Sequence, residues 1–101
     1  MDMGVDTRDA LALVKHRLNL LPGNTSLDTY LGYRVDAAIE ELEGTGIKLD
    51  NGPEDLLLVV DTAVWQYQNR DSGAGMPDWL RLRRRERWLQ QHKREADGDD
   101  S

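Results

Sequence analysis

Few residues in this sequence are of types that do chemistry, and their spacing works against most reactions. There is no cysteine, so no thiolate can attack a substrate or hold a metal, and no disulfide can form. His16 has no Asp, Glu or His at a spacing that would complete a metal site, so it reads as a plain surface histidine. Asp61 lies among apolar neighbours, as a poised carboxylate would. Catalysis would need a second acid, base or metal beside it, and the sequence offers none. Asp61 is therefore expected to be a paired or rim carboxylate. Gly44 and Gly46 resemble a phosphate loop only in passing, because no G-x-x-x-x-G-K-[ST] is present. No catalytic residue, metal or cofactor is expected, and the chain is not read as an enzyme.

The chemistry that remains is ionic recognition. The chain has 101 residues and a formal charge of −6, spread unevenly. Residues 1–80 carry six Lys/Arg against fourteen Asp/Glu, a net −8. Residues 81–94 carry seven Lys/Arg (Arg81, Arg83, Arg84, Arg85, Arg87, Lys93 and Arg94) against Glu86 alone, a net +6. Basic clusters near aromatic residues bind phosphates and stack bases. Three features weigh against that use here. The arginines circle the helix they belong to, no base-reading Asn or Gln stands at its front, and the acidic body repels phosphate. Arginine and tryptophan are also common anchors of protein interfaces. Protein–protein contact is the leading expectation, and a small helical nucleic-acid-binding regulator using 81–94 is the alternative.

Four helices must position these groups. Asp6 or Thr7 can cap a first helix over 8–19, with Ala10, Leu11, Leu13, Val14 and Leu18 on one face and Lys15 and Asn19 opposite. A breaker-rich turn over 20–26 follows. Thr25 with Asp28 fits a capping box, with Ser26 as the other candidate cap. The second helix then runs to about Glu43, burying Leu27, Tyr30, Leu31, Val35, Ala38 and Leu42. Asp36, Glu40, Glu41 and Glu43 make its outer face acidic. The link 44–53 is the longest irregular stretch in the interior, and alternation at Ile47 and Leu49 allows a short extended piece. Pro53 suits the first turn of a third helix.

That third helix, 55–70, is apolar almost all round. Leu56, Val60, Ala63 and Tyr67 share one face, with Leu57 and Val64 beside them, while Leu58 and Trp65 sit on the far side. Such a helix must be covered on several sides, by the other helices or by a neighbouring subunit. The fourth helix, 76–92, starts with Pro77 and has two apolar sides. Trp79, Leu82 and Leu89 line one; Leu80, Arg84 and Trp88 line the other, with Arg84 placed for a cation–π contact to Trp88. The fold class is all-α: a small bundle of four helices around a central apolar third helix. One domain spans 1–94, and 95–101 is a disordered acidic tail. No apolar run approaches the ~20 residues that span a bilayer, and the first ten residues lack the apolar segment of a secretory signal. The chain is read as soluble and intracellular.

Two stretches carry a resemblance. DLLLVVDTAVWQYQNR (55–70), then a Gly loop and MPDWLRLRRRERWL (76–89), resemble the head–tail connector proteins of long-tailed phages, also called head-completion or adaptor proteins. The likeness extends to chain length and helix order, although the acidic tail has no counterpart in the family pattern. It implies a structural subunit that joins a homo-oligomeric, dodecameric ring beneath the portal protein and extends the DNA channel. Such a ring docks the stopper or tail-completion protein, and DNA passes through it without specific binding. The location implied is the virion, and the host cytoplasm during assembly. The portal-facing candidates are Trp79, Leu80, Arg81, Arg84, Arg85, Arg87 and Trp88. The candidates for the channel or the next ring are Glu40, Glu41, Glu43, Ile47, Lys48 and Leu49. Asp36, Glu40, Glu41 and Glu43 would line a pore wall that repels DNA.

Overall fold

The computed structural model describes residues 4–50 and 52–98, with side chains described through His92. Its elements are α1 (Thr7–Arg17), α2 (Asp28–Gly44), α3 (Pro53–Gln68) and α4 (Asp78–Gly98). The fold is all-α, and no strand occurs among the described residues. The acidic tail expected over 95–101 reaches α4 only through the backbone of 95–98. Its side chains, and all of 99–101, lie outside the described residues.

Local chemistry explains where the first two helices stop. The Asp6 carboxylate accepts from Arg8 N at 2.8 Å and Asp9 N at 3.4 Å, capping α1 as expected. At the far end Asn19 takes a positive φ of 61°, with Asn19 N donating to His16 O and Leu20 N to Lys15 O. This paired pattern closes a helix around one left-handed residue. The same device ends α2: Gly46 (φ 100°) donates to Glu43 O, and Ile47 N donates to Leu42 O. In this motif the residue after the left-handed one folds back on the helix. Ile47 is thereby carried into the core with Leu42, and Leu49, two residues on, follows it inward.

Three expectations about α1 and α2 are corrected. No side chain caps α2, whose first flanking residue is Leu27. Ser26 instead donates to Asn24 Oδ1, at 3.2 Å from its amide and 2.8 Å from its hydroxyl, so the turn satisfies itself. Lys15 does not face water. Its ammonium pairs with Asp28 at 2.8 Å and donates to Pro22 O at 3.1 Å, so the 20–27 turn lies over it. Tyr30, placed in the buried stripe of α2, is more than one-third exposed.

α3 is the hub, packing on α1, α2 and α4, while α1 and α2 also pack on each other. Every residue from Leu58 to Val64 is buried, a run that covers all sides of the helix. The cover demanded by its apolar character is supplied within one chain. Leu58 is among the buried set and Trp65 is half-buried; the exposed leucine of this helix is Leu57. α4 lies apart from the other two helices and meets chiefly α3. Of its described apolar residues only Leu80 joins the core.

Candidate docking surface

α4 is fixed to the body by charge more than by apolar packing. Leu80, Arg83, Arg84, Arg87 and Gln91 fall at helical spacing on one inward stripe, and each has a partner. Leu80 is in the core. Arg83 pairs with Asp61, which Arg17 of α1 clasps from the other side. Arg84 lies 3.5 Å from Glu41 and 3.1 Å from Met76 Sδ. Gln91 brackets the extended residue Lys48, accepting from its N–H at 2.8 Å and donating to its carbonyl at 2.6 Å.

The strongest of these clamps is at Asp55, which is 1% exposed. Its carboxylate accepts from Arg87 Nε at 2.7 Å and Nη2 at 3.0 Å, and from Asp50 N at 2.9 Å. A bidentate guanidinium–carboxylate pair is the strong form of this bond. The hydrogen bond to Asp55 holds the Arg87 guanidinium above its ordinary pKa; partial burial opposes this, and the charges of Asp55, Asp50 and Glu54 add to it. Asp61 and Asp55, six residues apart on α3, thus meet Arg83 and Arg87, four apart on α4, in antiparallel order.

The arginines therefore do not circle the helix into water. Arg83, Arg84 and Arg87 answer acids of the body, while Arg81 pairs with Asp78 of its own first turn at 2.6 Å. Arg85 is exposed and forms no ion pair among the described residues. Trp88 takes His92 over its ring (centroids 4.1 Å, 25°) in place of the expected Arg84. Among the described residues the cation–π contacts are Arg34 on Tyr30 and Arg70 on Tyr67. His92 also reaches Gly46 O at 2.9 Å, and a Cβ on Gly46 would stand 3.0 Å from Trp88 Nε1. Gly46 thus needs to be glycine twice, for its φ and for this approach.

The outer arc of α4 carries Trp79, Leu82 and Leu89, which are 49%, 55% and 44% exposed. Among the expected partner-facing residues, Trp79, Arg81, Arg85 and Trp88 are accessible. Leu80, Arg84 and Arg87 are corrected: they face the body and position α4. Among those expected at the channel or next ring, Glu40, Glu43 and the Lys48 side chain are exposed. Ile47 and Leu49 are corrected, being core residues. Glu41 remains exposed but is tied to Arg84 and to Gln66 Nε2, at 2.9 Å. Leu82 and Leu89 complete the outer arc and belong with the docking candidates.

Two open grooves flank α4. One, about 160 Å³, is lined by Glu54, Asp55, Leu58, Arg83, Glu86, Arg87 and Gln90. The other, about 280 Å³, is lined by Thr45, Ile47, Met76, Arg81, Arg84, Arg85 and Trp88. No cluster of three or more metal-ligating side chains occurs among the described residues. None of their helices is long and apolar enough to cross a membrane. Comparison of the chain with protein-family models, curated proteins and solved structures gives no match.

Proposed function

We propose that this chain is a structural head–tail connector subunit of a long-tailed phage. In that role it joins a ring beneath the portal, extends the DNA channel, and docks the stopper or tail. The observation that carries the reading is the construction of α4. Its inner side is locked to α3 by Asp55–Arg87 and Asp61–Arg83, while Trp79, Leu82 and Leu89 stay uncovered on its outer arc. A helix held by ion pairs to two buried carboxylates and showing large apolar side chains to water suits a rigid docking strut, because tryptophan and other large anchors carry interface energy. The resemblance over 55–70 and 76–89 supports the same reading, since these are the two helices the clamps join.

The nucleic-acid alternative loses ground on the ion pairs. Three of the arginines that invited it are already matched by Asp61, Glu41 and Asp55. The test is capture of this protein by portal oligomers from the same genome. Leu82→Ser and Leu89→Ser, at exposed positions, abolish capture while leaving the thermal unfolding curve unchanged. Capture that survives both changes together would remove the outer arc from the reading. Strong salt-sensitive retention on duplex DNA instead would favour the alternative.

A further inference from the structure

The second groove beside α4 has no place in portal docking through the outer arc, and its chemistry is specific. Its lining sets Ile47, Met76 and Trp88 beside three guanidinium groups. Arg84 is committed to Glu41 and Arg81 to Asp78, but Arg85 forms no ion pair among the described residues. At about 280 Å³ and open, the groove falls just below the ~300–1,000 Å³ typical of small-molecule sites. It is better matched to a protruding side chain with carboxylates around it.

The same chain carries that complement. Leu31, Val35, Ala38 and Leu42 bury one face of α2. Tyr33, Asp36 and Glu40, at i, i+3 and i+7, occupy the opposite face, with Glu43 at its edge. All four are exposed, and Tyr33, at 70%, is the most exposed aromatic residue of the described set. A tyrosine flanked by Asp36, Glu40 and Glu43 meets an apolar and aromatic groove whose lining includes Arg85, a guanidinium with no ion pair among the described residues. Because the Tyr33 face points away from the core, it cannot turn into the groove of its own chain.

We propose that the groove of Ile47, Met76, Trp88, Arg81 and Arg85 receives the Tyr33–Asp36–Glu40 face of α2 from a second copy of this chain. The contact is heterologous: each copy offers one groove and one face, so the pairing repeats and closes into a ring if the rotation allows. Its biological setting rests on the connector reading, but its physics does not. It also assigns the acidic face of α2 to subunit contacts, not to a channel wall.

Analytical ultracentrifugation of the full chain and two surface variants tests this. Wild type associates as its concentration rises, and salt weakens the association because the contacts include charges. Arg85→Glu spoils the groove and Tyr33→Glu spoils the face, so each variant alone is monomeric. Mixed in equal amounts they form a heterodimer and nothing larger, because the intact face of one fits the intact groove of the other while the two spoiled surfaces repel. Arg85→Glu combined with Glu40→Arg in one chain restores association. Unchanged unfolding temperatures show that the losses are not failures to fold. A wild-type chain that stays monomeric at every concentration overturns the proposal, as does a mixture of the two variants that stays monomeric. A monomeric wild type that binds a labelled acidic peptide bearing one tyrosine assigns the groove to a foreign partner and likewise overturns it. Portal capture is a separate readout, so its loss would bear on the connector reading without touching this one.

Discussion

Cutting the Asp55–Arg87 clamp from each side should give unequal losses, and the inequality can be worked from exposure. Removing one member of a buried ion pair costs about 3–5 kcal/mol, because the other charge is left without a counterion. In Asp55→Ala the orphan is Arg87, whose side chain is 21% exposed and has Asp50 3.5 Å away. It can lean toward water, so the loss falls near ~3 kcal/mol. In Arg87→Ala the orphan is the Asp55 carboxylate at 1% exposure, with only the Asp50 N–H left to it among the described residues. That loss falls near ~5 kcal/mol. Asp55→Leu with Arg87→Met removes both charges and recovers most of the stability, since apolar replacements of buried pairs are often neutral.

Urea titration followed by helical circular dichroism measures all four proteins, and a constant slope certifies that only stability has changed. The single losses correspond to about 4–8 °C of melting temperature per kcal/mol in a domain of this size. The guanidinium adds no pH dependence at working pH. Its folded pKa is raised, so its contribution is fully present below the unfolded value and fades only as pH climbs through the folded one, in strong alkali. Single losses below ~1 kcal/mol that simply add in the double variant would match an exposed pair and refute the clamp.

Other expectations follow from the same geometry. Asp61→Asn should cost less than Asp55→Ala, about 1–2 kcal/mol by urea titration, because Arg17 and Arg83 are both more than one-third exposed and can turn to solvent. Thr62 is fully buried and its hydroxyl has no partner among the described residues, so the near-isosteric Thr62→Val should raise stability by ~1 kcal/mol. Leu80→Ala should cost about 2–5 kcal/mol, as a core truncation does. Leu82→Ser on the opposite side should stay within ~0.5 kcal/mol of wild type in the monomer. Equal losses at 80 and 82 would mean that α4 is not oriented as described.

Much of the fold was legible because apolar periodicity and helix breakers agree. The Asp6 cap, the Pro53 and Pro77 starts and the Gly44 stop place the first three helices and the start of the fourth within a few residues of their observed ends, whereas α4 continues to Gly98, six residues past the expected end at 92. What escaped were features set by tertiary pairing. Lys15 looks exposed on its own helix and is buried only because the 20–27 turn folds over it. Ile47 and Leu49 look like a surface link until the left-handed Gly46 turns the chain back against Leu42. Asp55 reads as an ordinary first-turn acid of α3, and no local pattern marks it as the buried partner of Arg87. A signal was present in the antiparallel matching of Asp55 and Asp61 to Arg87 and Arg83. That signal compares two helices, whereas a helical wheel describes one. The arginines read as circling α4 for the same reason.

The proposed connector role places this helical subunit in a ring beneath a portal, with the outer arc of α4 as its docking edge. The most direct measurement is electron microscopy of portal oligomers from the same genome mixed with an excess of this protein. The proposed role predicts an added ring on one end of the portal, with Trp79, Leu82 and Leu89 at the junction and no ring when Leu82 and Leu89 are both serine. Portals that remain bare at saturating excess would contradict it.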